Sequence, residues 1–219
     1  MGAAGRGLAR AAASRMTAAS GFAQSYHEAR EKFQSAAEAR GLAVTSHAHP
    51  LRGRDGEVLA MDIACDGPAD AQAVLVLSSA CHGVEGFCGS GAQVALLGND
   101  ALHAQAQAAG VALLYVHGLN PYGFSFWRRT THENVDLNRN FHDFSRPLPR
   151  NTAYDELAQL LVPAVWPPDA ATQQGIADYV ARHGPKGLQA AVSAGQYGHP
   201  DGLFYGGREP TWSHRTLRA

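Results

Sequence analysis

The chain is built around one stretch, residues 71–86, which reads AQAVLVLSSACHGVEG. It begins with an apolar run, Val74 to Leu77, whose length and branched side chains predict a fully buried central strand. Polar and glycine residues follow at once, and the stretch ends with His82 and Glu85, three residues apart. In an open α/β sheet, ligands bind just beyond the carboxyl ends of the strands. The stretch therefore predicts a strand with a binding site at its end.

His82 and Glu85 carry two side-chain types that commonly bind zinc, an imidazole nitrogen and a carboxylate oxygen. Their spacing puts both within one turn of chain, so both can reach the same ion. A catalytic zinc usually takes three protein ligands and leaves the fourth position to water. A third ligand must therefore come from elsewhere. Because His-x-x-Glu is a short pattern, the alternative is two loop residues without a metal.

Length and composition describe a globular protein. The chain has 219 residues, which is enough for one domain with a sizeable core. Its hydrophobic content of 45% and charged content of 17% exclude an intrinsically disordered protein. The net charge of -1 gives no electrostatic reason to expect nucleic acid or an anionic membrane as a partner. The sequence also has no apolar run long enough to span a bilayer.

The three cysteines, Cys65, Cys81 and Cys88, are too few and too irregularly spaced for a disulfide framework. Cys81 and Cys88 flank the candidate ligands, but their spacing matches no standard zinc pattern. We interpret all three as reduced packing residues, which predicts a cytoplasmic protein.

The amino-terminal segment differs in composition from the rest. The first 27 residues contain no acid, and they carry arginines among many alanines, as organelle transit peptides do. The alternative, which we favour, is an upstream start codon with Met16 as the true start. On either interpretation, residues 1–20 are a disordered or mis-started extension, and residues 21–219 form the domain.

The next segments predict a helix and a hairpin. Residues 22–40 have apolar positions at helical spacing, with Ser25 as a possible cap. Segments 42–49 and 57–65 flank Asp55-Gly56, which is a turn signal. They predict a β-hairpin at one edge of a sheet.

A second apolar run, residues 111–116, follows a predicted helix over 99–110. Strand, helix and strand at this spacing form a βαβ unit, which makes a parallel pair with a right-handed crossover. Residues 124–141 follow as a long polar and aromatic loop, and such loops on α/β scaffolds tend to carry function. Further helices are predicted over 154–165 and 170–183. The predicted fold class is α/β, with a mixed, mostly parallel sheet flanked by helices.

Two further motifs lie in that long loop: WRRT at residues 127–130 and VDLNRNF at residues 135–141. Together with His82-x-x-Glu85 they resemble the zinc carboxypeptidase family of metallopeptidases, and most of all a bacterial, largely uncharacterised branch. The resemblance extends over residues 20–219, and Asp-x-Asn-Arg-Asn followed by an aromatic residue is its most specific single element. It implies a zinc carboxypeptidase-like fold, Zn2+ as cofactor and hydrolase activity.

The resemblance also implies roles at the metal. His82 and Glu85 would be two of three zinc ligands. Asp136 would accept a hydrogen bond from the zinc-bound histidine, which fixes the tautomer of the ring and raises its basicity.

For the substrate, the resemblance implies that Arg128 polarises the scissile carbonyl and stabilises the oxyanion. Asn138 and Arg139 would hold the terminal carboxylate, which a planar guanidinium can bind bidentately. The alternative is that the arginines of this loop are solvated surface charges.

The sequence departs from the family pattern in two places. Val84 stands where better-known members have a second substrate-binding arginine. The third zinc ligand of the family is a histidine in an Asp-x-His context, and no such motif follows residue 141. His199 and His214 are available but lack the strand context. The chain therefore resembles the amino-terminal two-thirds of the enzyme, with the third ligand and the general base expected beyond residue 219.

These features predict a zinc-dependent hydrolase of the carboxypeptidase type, acting on a peptide or acyl-amino acid with a free carboxylate. A variant within the class is a small-molecule N-acyl amino acid amidohydrolase. The alternative from another class is a catalytically inactive fragment that acts as a binding or pairing module. Its partner would then be the missing C-terminal part.

Overall fold

The computed structural model describes residues 18–219. Residues 1–17, and with them most of the predicted extension, lie outside the described residues. Ala18–Gly21 form a short 3-10 helix against the domain. A Cβ atom on Gly21 would lie 2.8 Å from the Gly91 carbonyl oxygen, so this turn sits directly on a neighbouring helix.

The four strands form one mixed sheet. They are β1 (Val44–Arg52), β2 (Val58–Asp66), β3 (Ala73–Ser78) and β4 (Val111–His117), in the spatial order β1-β2-β4-β3. The β1–β2 and β2–β4 pairs are antiparallel, and the β3–β4 pair is parallel. The predicted α/β class, a mixed sheet flanked by helices, is confirmed. Among the described strands, however, the sheet is not mostly parallel.

The predicted hairpin and first helix are present. β1 lies at one edge of the sheet, and the turn to β2 closes with Gly53 N–H donating to Glu57 O at 2.9 Å. Gly56 has a φ of 82°, the left-handed conformation that its turn position needs. Helix α1 (Tyr26–Ala39) begins after Ser25, whose hydroxyl accepts from Glu28 N–H at 3.1 Å.

The predicted βαβ unit is confirmed, with two helices in its crossover. These are α2 (Gly86–Leu97) and α3 (Asp100–Ala108), between the parallel strands β3 and β4. Helices α1 and α2 cover one face of the sheet. The core between them is formed by Phe33, Ala37, Ala64, Val94, Leu97, Leu113 and Tyr115.

The prediction that β3 is a fully buried central strand is wrong for the described chain. β3 is an edge strand, and Val74, Leu75 and Val76 are 55%, 46% and 55% exposed. Its apolar sequence is typical of a strand covered on both sides. Within residues 18–219, β4 is its only strand neighbour, so its other edge is open.

The second half of the chain is helical. Its elements are α4 (Pro121–Ser125), α5 (Leu137–Asn140), α6 (Thr152–Leu161), α7 (Ala170–Ser193) and α8 (Trp212–Arg218). The predicted loop over 124–141 therefore contains helical turns. Helix α7 kinks at Gly184, whose φ of 72° is not helical, and then continues to Ser193. No helix in the described part of the chain is long and apolar enough to cross a membrane.

Candidate functional site

The site lies at the rim where β3 and β4 both end. Because these strands are parallel and in register, the loops that follow them leave the sheet side by side. Two backbone hydrogen bonds join the loops: Leu119 N–H to Ser79 O and Asn120 N–H to Ala80 O, both 2.9 Å long. The chain that continues from Ala80 to His82 is therefore fixed to the end of β4.

His82 is the N-cap residue of a single turn of 3-10 helix, residues 83–85, and Glu85 is the last residue of that turn. The Nδ1 atom of His82 is 3.1 Å from Glu85 Oε1 and 3.2 Å from Oε2. Two ligands about 2.0–2.2 Å from one tetrahedral zinc ion lie about 3.3 Å apart, so these donors are spaced as two ligands of one ion would be. His82 is buried, whereas the Glu85 side chain is 65% exposed, which leaves the shared side open to solvent.

Asp136 lies on the opposite side of the His82 ring. Its Oδ1 is 3.2 Å from His82 Nε2, and the residue is fully buried. Asp136 is also the N-cap of α5, because Oδ1 accepts from Asn138 N–H at 3.0 Å. A ring with its proton on Nε2 would donate to Asp136 and leave the Nδ1 lone pair free for a metal.

Asn138 offers the His82 ring a second partner. Its Nδ2 is 3.1 Å from His82 Nε2, and its Oδ1 accepts from the Cys81 thiol at 3.2 Å. If the proton of the ring sits on Nδ1 instead, the Asn138 amide donates to Nε2 and the ring donates to Glu85. The two tautomers of His82 therefore use different partners. Burial, together with the Asp136 and Glu85 charges, raises the pKa of the Cys81 thiol to about 11, so it stays a donor.

Arg128 does not contact the candidate ligands through its guanidinium. That group donates to Thr130 Oγ1 at 3.0 and 3.3 Å and to Asn134 Oδ1 at 3.4 Å. Both partners are neutral, so the charge of Arg128 has no carboxylate partner among the described residues. The backbone of Arg128 does reach the site, since its carbonyl accepts from Val84 N–H at 3.2 Å.

Asn138 and Arg139, predicted as a pair, point in different directions. While Asn138 contacts His82, Arg139 donates through Nη2 to Ser193 O at 2.6 Å, at the end of α7. Arg139 Nε is buried and has no hydrogen-bond partner in the described chain. The structure therefore does not bring these two side chains onto one point.

Arg129, which the motif comparison left without a role, contacts the site directly. Its Nε donates to Asp136 Oδ2 at 3.0 Å, and its guanidinium lies 4.9 Å from the centre of the Phe204 ring. The sequence indicated Arg129 only through its position next to Arg128, and that position does not distinguish a site residue from an arginine exposed on the surface.

Two glycines allow residues 82–85, called the ligand turn because they carry the candidate ligands, to pack directly against α4. A Cβ atom on Gly83 would lie 2.0 Å from Gly123 C and 2.2 Å from Phe124 N, which are backbone atoms that cannot move aside independently. A Cβ atom on Gly123 would lie 2.5 Å from Asn120 Nδ2 and 2.8 Å from Arg128 O. The backbone of the ligand turn therefore touches the backbone of α4, and there is no room for a side chain at Gly83 or Gly123.

Unusual backbone conformations occur around the same place. Four described non-glycine residues have a positive φ: Ala80 (58°), Trp127 (57°), Asn134 (62°) and Phe204 (52°). The first three lie just before His82, Arg128 and Asp136, respectively, and Phe204 packs under Arg129. Such conformations cost about 1–3 kcal/mol each and cluster at functional sites.

Neither of the histidines considered as a third ligand lies at the site. His199 Nε2 is 3.0 Å from Asp155 Oδ1 on α6. His214 is buried against the Phe141 ring at 4.6 Å, and burial and nearby arginines lower its pKa. Within residues 18–219, no group of three or more His, Cys, Asp or Glu side chains is placed to hold a metal ion.

His117, at the end of β4, belongs to the core. It is fully buried, stacked on Phe33 at 4.6 Å, and 2.8 Å from Ser90 Oγ through Nε2. Burial lowers its pKa to about 4, so it stays neutral.

Several solved structures are similar to the chain at low identity. The Tannerella forsythia glutaminyl cyclase is 16% identical over 53% of this chain and 46% of that chain, with a TM-score of 0.34. Thrombin activatable fibrinolysis inhibitor is 14% identical over 72% and 43%, with a TM-score of 0.38. A Zn-dependent exopeptidase from Parabacteroides distasonis is 15% identical over 63% and 48%, with a TM-score of 0.31. The chain spans less than half the length of each, and these similarities are too weak to assign an activity.

No curated protein matches the chain. A family model described as "Protein of unknown function (DUF2817)" matches residues 22–219, and the chain therefore belongs to that family.

Proposed function

We propose that this chain is a zinc-dependent hydrolase of the carboxypeptidase type, cleaving a peptide or amide bond next to a free carboxylate. One observation carries the proposal. His82 offers Nδ1 beside the Glu85 carboxylate at 3.1 Å, while Nε2 faces the buried Asp136 at 3.2 Å. This is the arrangement in which a zinc-binding histidine is oriented by a carboxylate behind it.

Zn2+ would be held by His82 through Nδ1 and by Glu85 through its carboxylate, with a third ligand from outside the described set. When bound, zinc supplies an acidified water and polarises the substrate carbonyl. Asp136 would hold the ring in place behind the ion. Because Glu85 is exposed, a substrate could reach the ligands from solvent.

Two arginines without a carboxylate partner support a carboxylate substrate. Arg128 and Arg139 have no ion-pair partner among the described residues. The hydrogen bonds of their guanidinium groups go to neutral oxygens, and the Arg139 guanidinium also lies 5.9 Å from the centre of the Phe204 ring. Arg139 also keeps a buried Nε–H without an acceptor. A carboxylate could accept from such groups with charge-assisted hydrogen bonds. Peptides with a free C-terminus and N-acyl amino acids both present this group.

Ligand binding tests the proposed substrate class separately from turnover. With zinc present, the chain should bind an N-acyl amino acid about 10- to 100-fold more tightly than the matching amide, since hydrogen bonds to a charged group contribute about 1.5–3 kcal/mol. Arg139→Met should remove most of this preference. Calorimetric titration with both ligands measures it.

The control is Arg182→Met, which removes an exposed arginine paired with Glu156 on α6. It should leave the preference unchanged. Equal affinity for acid and amide in the unsubstituted chain would contradict the proposed substrate class.

We further propose that the buried Asp136 carboxylate is required for metal binding. Asp136→Asn keeps the shape of the side chain but removes the charged acceptor for His82 and Arg129. Zinc affinity should fall about 10- to 100-fold, as expected when a partner behind a metal ligand is lost. Competition with a chromophoric chelator measures the affinity.

The matched control is Asp62→Asn. Asp62 is equally buried and pairs with Arg30 at 2.7 Å, and its described hydrogen bonds go to Arg30, Gln34 and Ser46 rather than to the candidate ligands. It should lower stability while leaving zinc affinity intact. An equal loss of affinity in both variants would assign the effect of Asp136→Asn to general destabilisation.

The open edge of β3 favours the second candidate function, a binding or pairing module. Val74, Leu75 and Val76 are half exposed, on an edge that no strand of residues 18–219 pairs with. Exposed apolar edge strands are templates for pairing with another strand. In this role the chain would pair with a further polypeptide strand, such as a C-terminal part.

Charge on the edge should suppress that pairing. We expect the chain to self-associate or to be poorly soluble, and the double substitution Val74→Lys with Val76→Lys to raise the monomer fraction, because lysine on an edge strand blocks pairing. Sedimentation velocity measures the monomer fraction. Val165→Lys is the control, since Val165 is a highly exposed valine in a loop away from the sheet. A monomer fraction raised equally by Val165→Lys would contradict pairing through β3.

A further inference from the structure

Arg129 contacts the candidate site through both its backbone and its side chain. Its backbone carbonyl accepts a hydrogen bond of 3.2 Å from the N–H of Gly83, the residue directly after His82. Its side chain donates through Nε to Asp136 Oδ2 at 3.0 Å. One residue therefore touches both the turn that carries the candidate ligands and the carboxylate behind the ring.

Asp136 needs this partner because it is fully buried. A buried carboxylate is costly unless its charge is paired and its oxygens are hydrogen-bonded. Oδ1 accepts from Asn138 N–H and lies next to Nε2 of the His82 ring, while Oδ2 accepts from Arg129 Nε–H. Arg129 is the only arginine or lysine that pairs with Asp136 in the described chain.

The guanidinium of Arg129 is itself held in place. Phe204 lies under it, with 4.9 Å between the guanidinium carbon and the ring centre, so the cation stacks on an aromatic face. Its side chain is only 38% exposed. Stacking and a directed Nε–H bond together need a planar group, which lysine lacks.

We propose that Arg129 is a positioning residue of the metal site, an inference that rests on the proposed function. Arg129 fixes the Asp136 carboxylate so that Oδ1 accepts from His82 Nε2–H. This holds the ring in the tautomer whose Nδ1 faces Glu85 with a free lone pair. Without Arg129, the competing tautomer gains, in which Asn138 donates to Nε2 and Nδ1–H donates to Glu85.

The adjacent arginines thus have separate tasks. Arg128 contacts neutral Thr130 and Asn134 at the rim, whereas Arg129 is paired with a buried carboxylate. In this role Arg129 makes no contact with substrate.

The test compares Arg129→Met, Arg129→Lys and Arg30→Met in the 219-residue chain. Arg30→Met is the matched control, because Arg30 also pairs through Nε with a fully buried aspartate, Asp62, at 2.7 Å. Zinc affinity should fall about 10- to 100-fold in Arg129→Met. It should recover in part in Arg129→Lys, which keeps the charge, and stay unchanged in Arg30→Met.

A second readout needs no metal. The 15N chemical shifts of the His82 ring report which nitrogen carries the proton. We expect mainly the Nε2–H tautomer in the unsubstituted metal-free chain and a larger share of Nδ1–H in Arg129→Met. Arg129→Lys should lie between them. If Arg129→Met does not fold, the same comparison of Arg129→Lys with the unsubstituted chain decides.

The outcomes separate this inference from the proposed function. An unsubstituted chain that binds no zinc would contradict the proposed function, and the tautomer would still test the role of Arg129. An unchanged tautomer in the Arg129 variants would overturn the inference, whatever the zinc affinity. A loss of zinc affinity as large in Arg30→Met as in Arg129→Met would overturn it as well.

Discussion

Replacing Gly83 by alanine is expected to abolish zinc binding and to lower the free energy of unfolding by about 3 kcal/mol. The added Cβ would lie 2.0 Å from Gly123 C, so the ligand turn must move off α4. That movement breaks the hydrogen bonds from Gly83 N–H to Arg129 O and from Val84 N–H to Arg128 O. His82 and Glu85 would then no longer be held against Asp136. Urea unfolding and a zinc competition assay measure the two effects.

Gly198→Ala is the control for this experiment. A Cβ atom there would meet only Asp155 Oδ1, at 3.8 Å, so the change in free energy should stay within about 0.5 kcal/mol. If Gly83→Ala binds zinc as well as Gly198→Ala does, the ligand turn does not depend on its contact with α4.

Removing either candidate ligand should weaken metal binding directly. His82→Ala and Glu85→Ala are each expected to lower zinc affinity by more than about 100-fold, since even the loss of a partner behind a ligand costs 10- to 100-fold. Glu85→Ala should have little effect on stability because its side chain is exposed, whereas His82→Ala removes a buried ring and should also lower the stability. Competition with a chromophoric chelator measures the affinities, and thermal unfolding reports the stability.

The chain offers a matched pair as a control. His27 and Glu31 on α1 are also 3.1 Å apart, but both side chains are about two-thirds exposed, whereas His82 is buried. His27→Ala and Glu31→Ala should leave the affinity unchanged. Equal losses at the two pairs would show that zinc binds to exposed histidines in general.

Much of the fold follows from local sequence signals. Asp55-Gly56 predicts the hairpin, Ser25 predicts the start of α1, and two apolar runs separated by a helical segment predict the parallel pair β3–β4. These signals act over a few residues, through turn geometry, capping and periodicity. The position of β3 at an open edge could not be predicted, because an apolar run does not say which elements cover it.

The candidate site was predictable only in part. The order of the motifs along the chain predicts His82, Glu85 and Asp136 as site residues, because each matches a defined chemical role near a metal. It does not predict that Arg139 turns to Ser193 or that Arg129 pairs with Asp136, because these contacts join segments distant in sequence. The exclusion of a side chain at Gly83 is likewise a tertiary contact, with Gly123.

The central claim is that His82 Nδ1 and Glu85 bind zinc while Asp136 holds His82 Nε2. Titration of the chain, 15N-labelled on histidine, with zinc tests it most directly. The predicted result is a change in the 15N chemical shift of His82 Nδ1, with the proton retained on Nε2, and loss of that change in Glu85→Ala. Zinc binding to Nε2 with the proton on Nδ1, or shifts confined to other histidines such as His27 and His199, would contradict the account.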